Sequence, residues 1–239
     1  LSGWLTDYRI ANFAWFYYKS IFFIDKEKKN KNDRTWCFWE EPNGEFDSIL
    51  SKTWEKAFIG NQDFQQSFEM QPYLYKMIRS RDFYKLVFDT ISSKSNFTFE
   101  NDEIINWKTI EDSVEITGKN QSYFGLFLLN SFFDVNPILT QKKYPYLKQH
   151  FIGWFIKTKE DFFDNSEVKF MDFTIEQNGN TRFMYVLPTS KTEALFEYTL
   201  FSEDLLEKTE YEKAISNYLQ NIGITNYEIM EKETGNIPM

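Results

Sequence analysis

Glu197 is the residue whose surroundings point most directly to acid chemistry. Side chains alternate along the strand-like segment 193–201, so that Glu197 shares one face with Leu195, Thr199 and Phe201. A free glutamic acid has a pKa of about 4.3, but burial beside apolar neighbours disfavours the carboxylate and raises that pKa, which makes the group a general acid. The same alternation fits a solvent-facing glutamate of an amphipathic strand, and the residues alone leave both interpretations open.

Two aspartic acids also lie in strand-like segments. Asp25 ends a short apolar run, 20–25, and follows Gly3 by 22 positions. An acid about 20 residues beyond a glycine turn commonly accepts a hydrogen bond from a ribose hydroxyl, although an acid at a strand end can simply face solvent. Asp172 follows Met171 and is either a structural acid or an electrostatic partner at a site.

Arginine and tryptophan side chains come together shortly after Asp25. Arg34 can bind a phosphate or carboxylate through two hydrogen bonds, and Trp36 and Trp39 offer flat apolar walls. An aromatic core patch with one salt-bridged arginine explains the same residues. Arg81, in a helical pattern that begins after Pro72, is either a phosphate contact or part of a solvated helix face.

Composition excludes several kinds of protein. One residue in five is aromatic, and the formal charge of −9 argues against a broad nucleic-acid surface. Only one histidine, His150, and one cysteine, Cys37, are present, so neither a Cys/His zinc site nor an internal disulfide framework can form. No apolar run approaches the roughly 18 residues of a membrane-spanning helix, no secretory signal is visible, and no metal site is expected.

The pattern of elements predicts an α/β chain with two different halves. We expect a nucleotide-type layer first and a mostly antiparallel sheet domain after it. The predicted helices are 1–18, 72–92 and one that begins at a Thr209 capping box and ends at Gly223. The predicted strands are 20–25, 97–100, 104–109, 112–117, 123–130, 168–177, 181–187, 193–201 and 225–232, with a hairpin turn at 178–180 and an irregular stretch at 46–70.

Ordered segments resemble the flavin-dependent lycopene β-cyclases of the bacterial type. The signature-like segment is Asp33–Trp39, DRTWCFW, and further similar segments follow it in the family's order. They are Gln149–Trp154 (QHFIGW), Phe170–Phe173 (FMDF), Phe183–Pro188 (FMYVLP), Ala194–Thr199 (ALFEYT) and Gly235–Met239 (GNIPM). The resemblance covers nearly the whole chain.

The resemblance implies a flavoprotein-like α/β fold: a truncated Rossmann-type FAD-binding layer and a mostly antiparallel substrate domain. We expect the FAD-binding part at 1–35 and 72–135, and the carotenoid-binding part at 36–71 and 136–239. Leu1-Ser2-Gly3 resembles the end of the family's glycine-rich turn, and the family continues beyond the final Ile-Pro-Met. We therefore expect an internal fragment, or an incomplete gene model, that by itself binds FAD weakly or not at all.

The implied activity is the redox-neutral conversion of the acyclic ends of lycopene, or of a related carotene, into β-ionone rings in carotenoid biosynthesis. Reduced FAD is the implied cofactor, with NAD(P)H serving only to keep it reduced. The implied site residues are Glu197 and Asp172 for catalysis, Gly3, Asp25, Arg34 and Arg81 for the cofactor, and Trp36, Trp39, Trp154, Phe183 and Tyr198 for the substrate. Tyr198 stands where many relatives carry a second acid, so a pair of carboxylates is not expected.

Lycopene is insoluble in water, so we expect a cytoplasmic protein that contacts the membrane surface peripherally. The candidate contacts are the aromatic residues of two short segments, Phe132-Phe133 and Tyr144 to Tyr146. Two other interpretations stay open. One is a flavin oxidoreductase of the same fold acting on an isoprenoid or aromatic substrate, and the other is a non-catalytic protein that binds carotenoid or lipid.

Overall fold

The computed structural model describes residues 2–132, 134–141, 143–144 and 146–239. Leu1, Phe133 and Pro145, which entered the sequence-based predictions, lie outside the described residues. The helices are α1 (Ser2–Asn12), α2 (Ser80–Ser92), α3 (Asn136–Thr140) and α4 (Lys208–Asn221). The strands are β1 (Ile21–Asp25), β2 (Thr35–Glu40), β3 (Leu50–Trp54), β4 (Lys56–Gly60), β5 (Gln65–Glu69), β6 (Leu74–Arg79), β7 (Phe97–Asn101), β8 (Ile104–Ile110), β9 (Ser113–Gly118), β10 (Ser122–Gly125), β11 (Lys148–Thr158), β12 (Glu167–Asp172), β13 (Arg182–Pro188), β14 (Glu193–Ser202) and β15 (Tyr227–Pro238).

The chain forms two compact units, and each unit takes two separate stretches of sequence. The first unit is Leu1–Asp33 with Arg79–Asp134, and the second is Arg34–Ile78 with Val135–Met239. The sequence-based boundary at residue 72 differs from the structural one because β6 pairs with β3 and belongs to the second unit.

The first unit is the α/β part of the molecule. Strands β1 and β7 pair in parallel, as expected where a crossover connection joins strands. Trp4 of α1 packs edge-on against Phe23 of β1 at 4.6 Å and lies 4.8 Å from Tyr84 of α2. These buried rings fix both helices to the strand pair. Strands β8, β9 and β10 form a separate antiparallel sheet.

The second unit is built on a seven-stranded sheet of order β15-β11-β14-β13-β12-β4-β5. All neighbouring strands in it are antiparallel except β12 and β4. Helix α4 packs on one face through Ile215, Tyr218 and Leu219, and covers a buried cluster that includes Phe196 and Leu200. Full burial of side chains of this size stabilises the fold by about 1.5–3 kcal/mol each.

The opposite face of the large sheet carries the three-stranded sheet β2-β6-β3. The core between the two sheets includes Trp54, Met77, Leu187 and Leu195, all nearly inaccessible to solvent. The indole Nε1 of Trp54 donates to the carbonyl oxygen of Pro188 at 2.9 Å. Each face of the large sheet is therefore covered by a different element.

Turn chemistry matches the sequence at two positions. Asn178 and Gly179, between β12 and β13, have φ values of 43° and 82°, and Gly223 after α4 has a φ of 87°. This left-handed region strains most side chains but not glycine. The expected hairpin turn and helix end are therefore confirmed.

Several element predictions were wrong. The helix predicted from Pro72 begins only at Ser80, because 74–79 forms β6, and the stretch at 46–70 contains β3, β4 and β5. Helix α4 begins at Lys208 after Glu207, which makes no side-chain capping bond, so Thr209 is inside the helix and no capping box forms. The first helix ends at Asn12 rather than at residue 18, and the segment 123–130 contributes only the last residues of β10.

Within the part of the chain that the structure describes, every helix is too short or too polar to cross a membrane.

Candidate active site

Four neighbouring strands of the second unit place Tyr185, Glu197, Gly153 and Glu233 in one row across the large sheet. Tyr185 of β13 and Gly153 of β11 lie on either side of Glu197, and Glu233 of β15 lies beyond Gly153. Residues in register on adjacent strands point to the same face. This face is the one opposite α4, because the alternate residues Phe196 and Tyr198 belong to the α4 core. The row is the centre of the candidate active site.

The Glu197 carboxyl is held in its protonated form. Burial raises the pKa of Glu197 from 4.5 to about 8, and the charge of Glu233 adds to that increase. A hydrogen bond from Thr199 Oγ1 to Glu197 Oε1, at 3.0 Å, acts in the opposite direction and lowers the pKa. Burial and the Glu233 charge raise the pKa by more than the Thr199 hydrogen bond lowers it, so Glu197 carries a proton at neutral pH. A carboxyl group in this state can act as a general acid.

Glu233 reaches over Gly153 towards Glu197. An added Cβ at Gly153 would lie 3.1 Å from Cγ and 3.5 Å from Oε1 of Glu233. Thr35 of β2 donates a hydrogen bond from Oγ1 to Glu233 Oε2 at 2.7 Å. Glu233 lies just beyond the strand expected at 225–232. Position 198, where many relatives carry a second acid, is Tyr198, and the acid whose charge acts on Glu197 comes from β15 instead.

Aromatic rings continue the site away from Glu197. The centre of the Tyr185 ring lies 4.9 Å from that of Phe183 and 5.7 Å from that of Phe170. The centres of the Phe170 and Trp39 rings are 5.3 Å apart. Tyr75 of β6 packs 4.8 Å from Trp39. Burial raises the pKa of both tyrosines, with a contribution from the Glu197 charge. These rings form a neutral aromatic wall beside Glu197.

Trp39 and Phe183 are the two predicted substrate-binding residues that the structure brings to this wall. Trp154 and Tyr198 point to the α4 face instead, where both are buried. The Tyr198 hydroxyl accepts from Arg182 at 3.0 Å. Trp36 alternates with Thr35 and Cys37 along β2 and so points to the other face of the small sheet. Trp154, Tyr198 and Trp36 therefore do not lie on the Glu197 side of the site.

Asp172, the second predicted acid, also lies on the α4 side of the sheet. Tyr218 of α4 donates to its Oδ2 at 2.6 Å, and the Thr174 hydroxyl donates to its Oδ1 at 2.6 Å. Lys169 Nζ lies 3.6 Å from the same carboxylate. Asp172 therefore joins a helix to the sheet, and the thickness of the sheet separates it from Glu197.

His150 serves the packing of the second unit. Its ring nitrogens contact the hydroxyls of Ser202 at 2.7 Å and Tyr211 at 2.6 Å. The residue is 1% exposed, and burial lowers its pKa. A neutral imidazole that joins two strands and a helix is a structural residue.

The predicted cofactor residues are divided between the units. Gly3, in α1, and Asp25, at the end of β1, belong to the first unit. Asp25 accepts from the Trp4 indole and from the Glu27 amide, both at 3.0 Å. Arg81 is an exposed residue of α2, 3.5 Å from Asp82. Arg34 begins the second unit.

A family model described as "Lycopene cyclase protein" matches residues 19–239. The chain belongs to the lycopene cyclase family. The match includes both stretches of the second unit and therefore Glu197, Gly153 and Glu233. No curated protein sequence matches this chain.

Several solved structures share the fold of this chain at low sequence identity. A geranylgeranyl bacteriochlorophyll reductase-like protein from Thermoplasma acidophilum matches with a TM-score of 0.63 and 10% identity over 98% of this chain and 62% of that one. A flavoprotein/dehydrogenase from Cytophaga hutchinsonii matches with a TM-score of 0.58 and 11% identity over 100% and 63%. The halogenase PltM in complex with phloroglucinol and FAD matches with a TM-score of 0.53 and 9% identity over 82% and 46%. The expected flavoprotein-like α/β fold is confirmed, and the chain spans less than two thirds of the length of these three structures.

The raised pKa of Glu197 predicts how stability depends on pH. The folded chain keeps this proton up to a pH of about 8, whereas the carboxyl ordinarily releases it near 4.5. The unfolded state therefore binds fewer protons in this window, and the free energy of unfolding falls as the pH rises through it. Glu197→Gln removes this contribution, so above pH 8 the variant is more stable than the parent chain by on the order of 5 kcal/mol.

Urea unfolding of both proteins from about pH 5 to about pH 9 measures the difference. Glu193→Gln is the matched control, because Glu193 lies on the same strand but pairs with Lys157 at 2.7 Å in an exposed position. Equal pH slopes for the parent chain and Glu197→Gln would show that the carboxyl is ionised in the folded state.

Proposed function

We propose that this protein cyclises the acyclic ends of lycopene, or of a related carotene, to β-ionone rings. The observation that carries the proposal is a protonated carboxyl, Glu197, that faces a wall of neutral aromatic rings. Protonation of an alkene requires an acid that is still protonated near neutral pH, and it creates a cation that must be kept from water. Membership of the lycopene cyclase family supports a carotenoid as the substrate.

The chemistry assigned to Glu197 is balanced without an oxidant or reductant. Its O–H bond breaks as a new C–H bond forms at the terminal double bond, which leaves a carbocation on the carotene. An internal double bond attacks this carbocation and closes the ring. A proton then leaves the ring carbon and returns to the Glu197 carboxylate, so that substrate and product are isomers. Trp39, Tyr75, Phe170 and Tyr185 stabilise the cation through their ring faces.

The first unit contains residues that fit part of an FAD molecule. Each oxygen of Asp25 accepts one hydrogen bond from the protein, which leaves acceptor sites for a ribose hydroxyl. Asp25 and Gly3 would hold the adenosine half, and Arg81 of the same unit is a candidate for its phosphates. Bound FAD, kept reduced by NAD(P)H, would supply negative charge that favours the cation.

Removal of the Asp25 carboxylate tests the cofactor assignment. In the full-length protein, we expect Asp25→Ala to weaken FAD binding about tenfold or more, because a hydrogen bond to a charged group contributes roughly 1.5–3 kcal/mol. Quenching of flavin fluorescence measures the affinity, and Asp89→Ala on the exposed face of α2 is the control. Equal affinities for the parent protein and Asp25→Ala would place the ribose elsewhere.

A carotene reaches such a site from a membrane, and we propose that exposed apolar residues contact the bilayer surface. In the first unit, Leu126, Phe127, Leu129 and Phe132 are each more than 60% exposed. In the second unit, Leu139 and Tyr144 are also exposed. Serine substitutions of Phe127 and Phe132 together should reduce liposome flotation several-fold. Undiminished flotation would remove these residues from the membrane contact.

Glu197→Gln is the test of the cyclisation itself. The amide keeps the size of the side chain but cannot donate the carboxyl proton, so ring formation should fall at least 10²–10⁴-fold, roughly the contribution of a general acid. The assay uses the full-length protein with FAD, NADPH and lycopene in liposomes, and chromatography separates the cyclic product. Glu193→Gln is the control.

The same assay separates the rival interpretations. Cyclisation by Glu197→Gln at the parent rate would place the acid elsewhere, with Asp172 as the next candidate. NADPH consumed in proportion to product would favour an oxidoreductase acting on an isoprenoid, the alternative that the likeness to a geranylgeranyl reductase-like fold supports. Pigment binding without flavin or turnover would favour a carotenoid-binding protein.

A further inference from the structure

The gap above Gly153 brings two carboxyl groups of the large sheet towards each other. Adjacent strands lie about 4.8 Å apart, so the Cα atoms of Glu197 and Glu233 are separated by roughly 10 Å. Glycine between them leaves space above β11 for the side chains of the neighbouring strands, and the atom nearest to an added Cβ there is Leu195 Cδ1, at 2.9 Å. The closeness of Glu233 Cγ and Oε1 to the position of a Gly153 Cβ shows that the Glu233 side chain lies in that gap.

Each carboxyl of the pair has its own hydroxyl donor. Thr35 donates to Glu233 at 2.7 Å, and Thr199 donates to Glu197 at 3.0 Å. A hydroxyl that donates to a carboxyl group favours its anionic form, and the charge of Glu233 raises the pKa of Glu197. Two carboxylates that share an enclosed site do not both ionise at the same pH, because each negative charge disfavours the other.

We propose that Glu233 is a positioning residue for the catalytic proton: held as an anion by Thr35, it keeps the proton on Glu197 across the gap at Gly153. Its part in catalysis rests on the proposed function, whereas the sharing of one proton by the two carboxyls does not. During cyclisation, the Glu197 proton leaves for the carotene and the same carboxylate recovers a proton from the ring. Glu233 favours this return, because two neighbouring anions are less stable than one.

Other titratable groups that face Glu197 do not supply this charge. Tyr185 on β13 and Tyr75 on β6 have raised pKa values and are neutral where carboxyls titrate. Cys37 on β2 interacts with both tyrosines. Glu231 on β15 pairs in register with Phe155 rather than with Gly153. Glu233 is therefore the acid whose charge acts on Glu197.

The test follows the titration of Glu197 through stability. The pH dependence of unfolding that Glu197→Gln removes is measured with Glu233 present and again with Glu233→Gln. The pH at which this dependence levels off is the midpoint of the Glu197 titration in the folded chain, and we expect it to fall from about 8 by about one unit or more when Glu233 becomes neutral. Thr35→Val should move the midpoint in the same direction by less. Glu228→Gln, an exposed position on the same strand, should leave it unchanged.

Cyclisation by the full-length protein gives the second readout. Glu233→Gln should shift the alkaline limb of the pH–rate profile towards acid by the same amount as the titration midpoint. An unchanged midpoint in both Glu233→Gln and Thr35→Val would overturn the proposal and leave burial as the cause of the raised pKa. If the midpoint shifts but no protein cyclises lycopene, the carboxyl pair stands and the proposed function fails. If the parent protein cyclises lycopene but the midpoint does not move, the proposed function stands and the carboxyl pair fails.

Discussion

The candidate site depends on the cost of ionising a carboxyl group inside a packed sheet. Glu197 is on β14, which is flanked by β11 and β13, and its side chain lies on the face covered by the small sheet. The charge of Glu233, beyond Gly153 in the same row, acts on it. Charge in such a place is unfavourable because the surroundings replace little of the lost hydration. The protein therefore keeps a proton where an exposed glutamate would have released it. This one constraint turns an ordinary side chain into an acid suited to neutral pH.

The two faces of the large sheet have different roles. On one face, α4 covers a continuous apolar cluster, and the polar groups there are joined in pairs, such as Asp172 with Tyr218 and His150 with Tyr211. On the other face, the small sheet brings Thr35 and Tyr75 over Glu197, and Leu195 beside Glu197 belongs to the core between the sheets. A substitution on the α4 face should therefore act on folding, whereas one on the opposite face can act on both the site and the packing of that core.

Local sequence predicts some of this arrangement and not the rest. Alternation along β14 puts Glu197 and Thr199 on one face, and the turn at Gly179 is encoded by its neighbours. It is harder to predict which face of the sheet a given side chain occupies, since a shift of one residue moves that side chain to the opposite face. Trp154 and Tyr198 lie in segments that resemble the family, yet they point to α4. The local sequence around Glu233 does not predict that it lies near Glu197. The two residues come into one row only because β11 pairs with both β14 and β15.

The helix expected at 72–92 shows the same limit. Its apolar residues recur at helical spacing throughout, but Tyr75 and Met77 pair with β3 and take part in the core between the sheets. Long-range pairing overrides the local preference in such segments. What the sequence alone supports is the α/β class and the family. The second carboxyl and the aromatic wall emerge only from the packing of distant strands.

The most direct measurement is the infrared spectrum of the folded protein at neutral pH, compared with that of Glu197→Gln. A protonated carboxyl group has a carbonyl stretching band that is well separated from the bands of a carboxylate. The account predicts that this band is present at pH 7, absent from Glu197→Gln, and lost from the parent protein as the pH rises through about 8. If the parent and variant spectra show no difference in this band at pH 7, Glu197 is ionised and cannot be the acid.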